Sequence, residues 1–159
     1  MTKEYSLEEI KKEFQKYKVK YKLPEFTELN ELFEIEEVNQ ETEFFLRRIR
    51  RIVSEKIAGY LRFTETVLNP SGSPMFFFEI TKRLENEDKK VLIDLQKILA
   101  DLEIKNMSLD LHYSEEKEAE FIKESFKIFN DNVKSSLTKT IDKLAKPSEK
   151  KENKISYFG

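Results

Sequence analysis

Residues 40–68 read QETEFFLRRIRRIVSEKIAGYLRFTETVL. The stretch holds no proline and one glycine, Gly59, so nothing in it breaks a helix outright. Phe45, Ile49, Ile52, Val53, Ile57, Tyr60, Phe63 and Val67 recur at helical spacing and trace one stripe. A helix over the whole stretch spans about 43 Å. Asn39 is placed to cap it, with Glu41 and Glu43 in the first turn, where the helix dipole favours acid. Gly59 is either a small propensity cost or a point of close packing. This is the longest element of the chain, and NPSGSP (residues 69–74) stops it.

Working outward, the rest also reads as helix. Ser6-Leu7-Glu8-Glu9 is a capping box, and Tyr5 and Ile10 have the spacing of a hydrophobic staple across it. Leu7, Ile10, Phe14 and Tyr17 follow at helical spacing until Pro24 biases Leu23 away from helix. Residues 25–43 contain eight Glu and no Lys or Arg. Within them Phe26, Leu29, Leu32, Phe33 and Ile35 suggest a short amphipathic helix capped by Thr27.

Downstream, NPSGSPMFFF (residues 69–78) reads as a chain reversal that starts a buried helix. Asn69 and Pro70 stop the long helix, Gly72 is free to take φ > 0, Ser73 caps and Pro74 opens the next helix. Phe76, Phe77, Ile80 and Leu84 are expected inward. Met75 and Phe78 are left over, because three consecutive Phe cannot share one helix face. Asn86 caps a further helix with Val91, Leu95, Ile98 and Leu102 at near-heptad spacing. Met107, Leu109, Leu111 and Tyr113 alternate, but no second alternating run exists to pair with them, which favours continued helix or loop. Ser114 caps another helix that buries Phe121, Ile122, Phe126 and Phe129; Val133, Leu137, Ile141 and Leu144 continue the stripe up to Pro147. The expected fold is all-α: a single-domain bundle of about five or six helices over residues 1–146, then a flexible polar tail, 147–159, ending in an apolar motif.

Composition narrows function. The chain has 159 residues, 38% hydrophobic and 38% charged, with 13 Phe and 6 Tyr to build a core. The net charge of -2 gives no global bias toward nucleic acid or anionic membrane. With no Cys, disulfides, thiolate metal sites and cysteine nucleophiles are excluded. MTKEYSLEEI is polar and not a signal peptide, and no apolar run approaches a membrane span, so a cytoplasmic protein is expected. Three glycines in all, Gly59, Gly72 and Gly159, rule out the phosphate-cradling GxGxxG and GxxxxGK loops.

Few residues carry chemistry. His112 is the sole histidine, so a triad would depend on it, and no GxSxG is present. A metal site would group His112, Glu116 and Asp110, short of the usual ligand set. No cofactor, no metal and no enzymatic activity are expected. The strongest candidate is basic: Arg47, Arg48, Arg50 and Arg51, four of the six arginines, flank the Phe45–Ile49–Ile52 stripe and are expected outward. Such a face can meet nucleic-acid phosphates or a protein partner. It can also be satisfied within the chain, by Glu43 to Arg47 and Arg51 to Glu55 pairs or by the acidic block folding back. The second candidate is the tail motif ISYFG, where Ile155, Tyr157 and Phe158 follow a charged linker and either dock back on the bundle or engage another protein.

LPEFTELNELFEIE (residues 23–36) and EFFLRRIRRIVSEKIAGY (residues 43–60) resemble a group of small archaeal all-helical proteins of unassigned function, over residues 23–130. The resemblance implies an archaeal cytoplasmic origin and no particular activity. ISYFG resembles the C-terminal boxes with which archaeal replication proteins hold the sliding clamp, but lacks a Gln before Ile155 and brings its aromatic pair one residue early. The reading is a non-enzymatic helical protein-interaction or adaptor protein, with a homodimer possible through the near-heptad stripes. The alternative is a nucleic-acid-associated accessory factor using the Arg47–Arg51 face.

Overall fold

The computed structural model describes residues 5–38 and 44–146, and every regular element among them is helical. The elements are α1 (Leu7–Tyr21), α2 (Phe26–Phe33), α3 (Phe45–Leu68), α4 (Met75–Thr81), α5 (Asn86–Leu111), α6 (Glu115–Ile128) and α7 (Lys134–Ala145). Helices α6 and α7 join through one π-helical turn, Phe129–Val133, with right-handed helical dihedrals at both junctions, so they form one rod. All-α bundle architecture with six rods is the result.

Three rods carry the core, and each is written in heptads. Along α3, Leu46, Arg50, Val53, Ile57, Tyr60, Thr64 and Val67 are spaced alternately four and three apart, and all are buried or half-buried. Leu92, Leu95, Leu99, Leu102, Asn106 and Leu109 do the same on α5. Glu118, Ile122, Ser125 and Phe129 do so on α6. This period is what lets long helices pack side by side with small crossing angles. The π turn gives the rod a wider turn, so Phe129, Val133 and Leu137, each four apart, stay on one buried face where a strict α-helix would drift. Contacts fix the directions. Arg50 meets Asn106 while Ser54 meets Glu103, so α5 runs antiparallel to α3. Arg50 meets Glu118 while the Tyr60 ring meets Phe129, so the α6–α7 rod runs parallel to α3. Helices α1 and α2 close one side through the Phe14–Phe26 and Tyr17–Phe45 ring pairs.

Local sequence explains most boundaries. The capping box at Ser6 forms as expected, with Ser6 N donating to Glu9 Oε2 at 2.9 Å and Glu9 N to Ser6 Oγ at 3.3 Å. Ser114 Oγ likewise accepts from Lys117 N at 3.4 Å. Other expected caps move by a residue or two. Glu25, not Thr27, opens α2, and Glu85, not Asn86, opens α5, each in a box with the Glu or Asp three residues on. In both, the backbone N–H of the first residue donates to the carboxylate three residues on, Glu25 N to Glu28 Oε2 at 3.3 Å and Glu85 N to Asp88 Oδ2 at 2.9 Å, and that acid also favours the helix dipole. Pro74, not Ser73, precedes α4, and Gly72 does not use its freedom to take positive φ. Left-handed backbone falls instead on Lys22, Glu34 and Phe44. Phe44 therefore starts α3 at Phe45 rather than Gln40, which shortens it to 24 residues. The caps expected of Asn39, Glu41 and Glu43 lie outside the described residues.

Face assignment differs in several places, among them Leu7, which is exposed although it falls on the expected stripe of α1. Phe76, expected inward, is 67% exposed, and of the apolar side chains of α4 only Phe77 and Ile80 lean on the core, beside the buried Thr81. Leu95 and Leu102 are buried as expected, but Leu92 and Leu99 take the places expected of Val91 and Ile98, so the α5 spacing runs three-four-three rather than four-three-four. Ile141 is 51% exposed, since it lines a groove between α3 and α7. A Cβ built on Gly59 meets nothing within 4 Å, so Gly59 is no close-packing point but part of that groove's floor. No helix among the described residues is long and apolar enough to cross a membrane.

Candidate functional site

The RRIRR segment sits in the first two turns of α3, facing the last two turns of α5 and the start of α6. Leu46, Arg50, Val53 and Ile57 form the heptad face of α3, so the backbone carries Arg50 inward although its side chain is charged. Arg50 and Glu118 are both 0% exposed. Arg50 Nε donates to Glu118 Oε2 at 2.6 Å, and Nη2 donates to Glu118 Oε1 at 3.3 Å and Asp110 Oδ1 at 2.8 Å. Nη1 donates to the Asn106 side-chain oxygen, and to its backbone carbonyl at 3.4 Å. The guanidinium has five N–H donors, and all five find an acceptor here. A buried charge that is paired and fully hydrogen-bonded is the form of buried charge a protein tolerates.

Asp110 gathers the neighbouring arginines. Its carboxylate lies 3.8 Å from Arg47 Nη2 and 3.7 Å from Arg51 Nε, and its backbone carbonyl accepts from Arg47 Nη2 at 3.0 Å. The Arg50 hydrogen bond, helped by the charges of Arg50, Arg51 and Arg47, holds the Asp110 carboxyl below its ordinary pKa against the opposing effect of burial. Burial alone lowers the Arg50 pKa. Hydrogen bonds to Glu118 and Asp110 outweigh it and leave the guanidinium more firmly protonated. The Arg47 guanidinium also lies 5.8 Å from the Tyr113 ring, which stands edge-on to Phe44.

The expected outward face of four arginines is thus corrected. Arg50 is sealed inside, Arg47 and Arg48 are half-buried, and Arg51 alone of the four is exposed. Arg51 turns to Asp110 rather than Glu55. The described part of the acidic block does not supply the carboxylates of Arg47, Arg50 and Arg51; Glu34 pairs with Lys56 and Glu25 with Lys18. The expected Glu43 partner of Arg47 lies outside the described residues, as do Ile155, Tyr157 and Phe158. His112 ends α5 as an exposed cap residue, and Asp110, its nearest would-be co-ligand, is committed to arginines. Among the described residues no group of three or more His, Asp or Glu is arranged to hold a metal ion.

Two features escaped the sequence reading. The first is the set of Arg50 partners, Asn106, Asp110 and Glu118. Their signal was present: Arg50, Asn106 and Glu118 each occupy a heptad position in an otherwise mostly apolar stripe. The second is the outer face of α5, where Ile104, Met107 and Leu111 are 67%, 63% and 79% exposed. With Ala100 they are spaced four, three and four apart, so α5 carries a second heptad stripe opposite its core stripe. A groove of about 360 Å³, lined by Lys56, Gly59, Tyr60, Phe63, Leu137 and Ile141, lies elsewhere, between α3 and α7. Compared with protein-family models, curated proteins and solved structures, the chain matches none.

Proposed function

We propose that the protein is a non-enzymatic helical interaction or adaptor protein, and that the outer face of α5 is its contact surface. One observation carries this reading: Ala100, Ile104, Met107 and Leu111 form a heptad-spaced apolar stripe facing away from the core. Three large apolar side chains, each more than half exposed on one stripe, are what a helix-on-helix interface looks like before its partner arrives. The partner of fitting chemistry is an amphipathic helix, from another protein or from a second copy of this chain.

The rival reading, a nucleic-acid accessory factor, draws less support. Of its four arginines, one is buried and two more share Asp110 with it. Two measurements separate the readings. Ile104→Glu/Met107→Glu should leave the circular dichroism spectrum and melting unchanged, yet remove the partner recovered by affinity purification from the native organism, or remove self-association in sedimentation. An unchanged partner set with unchanged sedimentation would sink the α5 reading. Binding of generic duplex at low salt, falling steeply as salt rises, would favour the rival instead.

A further inference from the structure

Helix α4 leaves three large apolar side chains outside the bundle, beside the exposed Lys82–Glu79 ion pair, whose ammonium lies 5.1 Å from the Phe78 ring. Met75 is 82%, Phe76 67% and Phe78 41% exposed, while Phe77 and Ile80 lean the other way onto the core. The described chain ends beside this helix. Arg83, two residues past α4, donates from Nη1 to the carbonyl of Leu144 in the last turn of α7. Asp88 Oδ1 accepts from Lys143 Nζ at 2.6 Å, and α4 also packs against α7 directly. The chain therefore leaves α7 at the foot of α4.

Beyond Lys146 the sequence holds a polar spacer and then an apolar cluster. Residues 147–154, PSEKKENK, carry no large apolar side chain, and Ile155, Tyr157 and Phe158 come next. From Lys146 to Ile155 the chain spans at most about 30 Å when extended. The seven residues of α4 are only about 10 Å long, so reach sets no limit. A tethered segment on so short a spacer acts at an effective concentration in the mM range, which populates even a weak contact. Charge raises no barrier. Glu85, Glu87 and Asp88 lie around Lys143 at the corner between α4 and α5, and the spacer sequence holds three Lys against two Glu.

We propose that Ile155, Tyr157 and Phe158 of the same chain cover the Met75, Phe76 and Phe78 face of α4, forming an intramolecular cap. Two apolar clusters that are each a liability in water are joined by this contact, with the Met75 thioether and four aromatic rings supplying geometry beyond area. A protein that binds either cluster has to displace the other first. The cap is separate from the outer face of α5 and stands whether or not that face binds a partner.

The chain contains no cysteine, so Lys154→Cys gives one thiol for a nitroxide label, and its three methionines are Met1, Met75 and Met107. Carbon-labelled methionine methyls then report on α4 through Met75 and on the outer face of α5 through Met107. The expected result is loss of most Met75 methyl intensity in the paramagnetic state, with Met107 keeping its own. Adding Ile155→Ser/Phe158→Ser should bring Met75 back to the level of Met107. In a mixture where the nitroxide and the carbon label sit on different chains, Met75 should keep its intensity. Equal attenuation of Met75 and Met107, Met75 loss that survives the serine substitutions, or equal loss in the mixed sample would each overturn the proposal.

Discussion

Between Asn86 and Leu102 every buried side chain of α5 is a leucine, although Val91 and Ile93 are 45% and 42% exposed. Leu92, Leu95, Leu99 and Leu102 face the bundle, while Asp94, Lys97 and Asp101 face water. Over the next two turns polar groups join the core side beside the buried Leu109, and apolar ones stand outside. Asn106 faces the core and Asp110 reaches in to Arg50, whereas Ile104, Met107 and Leu111 stand in solvent. The two halves share one helix and one heptad phase, so the difference lies in what they meet. The first half meets leucine-compatible faces of α3 and α7; the second meets a buried guanidinium. A layer of Arg50, Asn106 and Glu118 fits one vertical register of three helices, because a shift by one heptad sets the charge against apolar side chains. The first half therefore contributes stability through area removed from water, and the second half contributes choice of register and an outward surface.

Each half is open to a direct challenge. Glu118→Leu leaves Arg50 buried without its main counter-charge and is expected to cost about 3–5 kcal/mol in urea unfolding. A cost under about 1 kcal/mol would reduce the cluster to the worth of an exposed ion pair. Leu99→Ala, in the first half, is expected to cost about 2–5 kcal/mol by cavity formation, in the same assay. Acid sharpens the contrast through Asp110. Its folded pKa is depressed, so its contribution is fully present above the ordinary carboxylate pKa and disappears as pH falls through the lower folded value. Asp110→Asn should accordingly be less stable than wild type near neutrality, by roughly 1 kcal/mol for a carboxylate this exposed. That gap should close in strongly acidic buffer; a gap independent of pH would mean the charge contributes nothing. Ile104→Ser, on the outer face, is expected to change monomer stability by no more than about 0.5 kcal/mol. A larger loss would show that the outer face is already covered.

Much of the architecture was legible because it is encoded locally. Ser6 and Ser114 cap the helices they precede through bonds to backbone three residues away, and no distant residue can change that chemistry. Phase was harder. Val91 and Leu92, or Ile98 and Leu99, are equally apolar neighbours, and only the leucine rows match the face that α3 presents. The arginine site was hardest. In sequence RRIRR is a solvated face, since burying a charge is costly without partners. Those partners stand 56 to 68 residues away, so only folding reveals that Asn106, Asp110 and Glu118 converge on Arg50. At α4 the spacing placed Phe76 and Phe77 inward and left Phe78 over, but of the three the short helix seats only Phe77 against the core.

A double-substitution cycle on Arg50 and Glu118 tests the buried layer most directly. Arg50→Met and Glu118→Leu are each expected to destabilise strongly, because the first leaves Glu118 buried without its counter-ion and the second leaves buried Arg50 with the half-exposed Asp110 alone. Combined, they are expected to be less destabilising than either alone, with a coupling energy of about 3 kcal/mol in denaturant unfolding. Additive losses, with coupling under about 0.5 kcal/mol, would contradict a sealed, mutually dependent pair at the heart of the bundle.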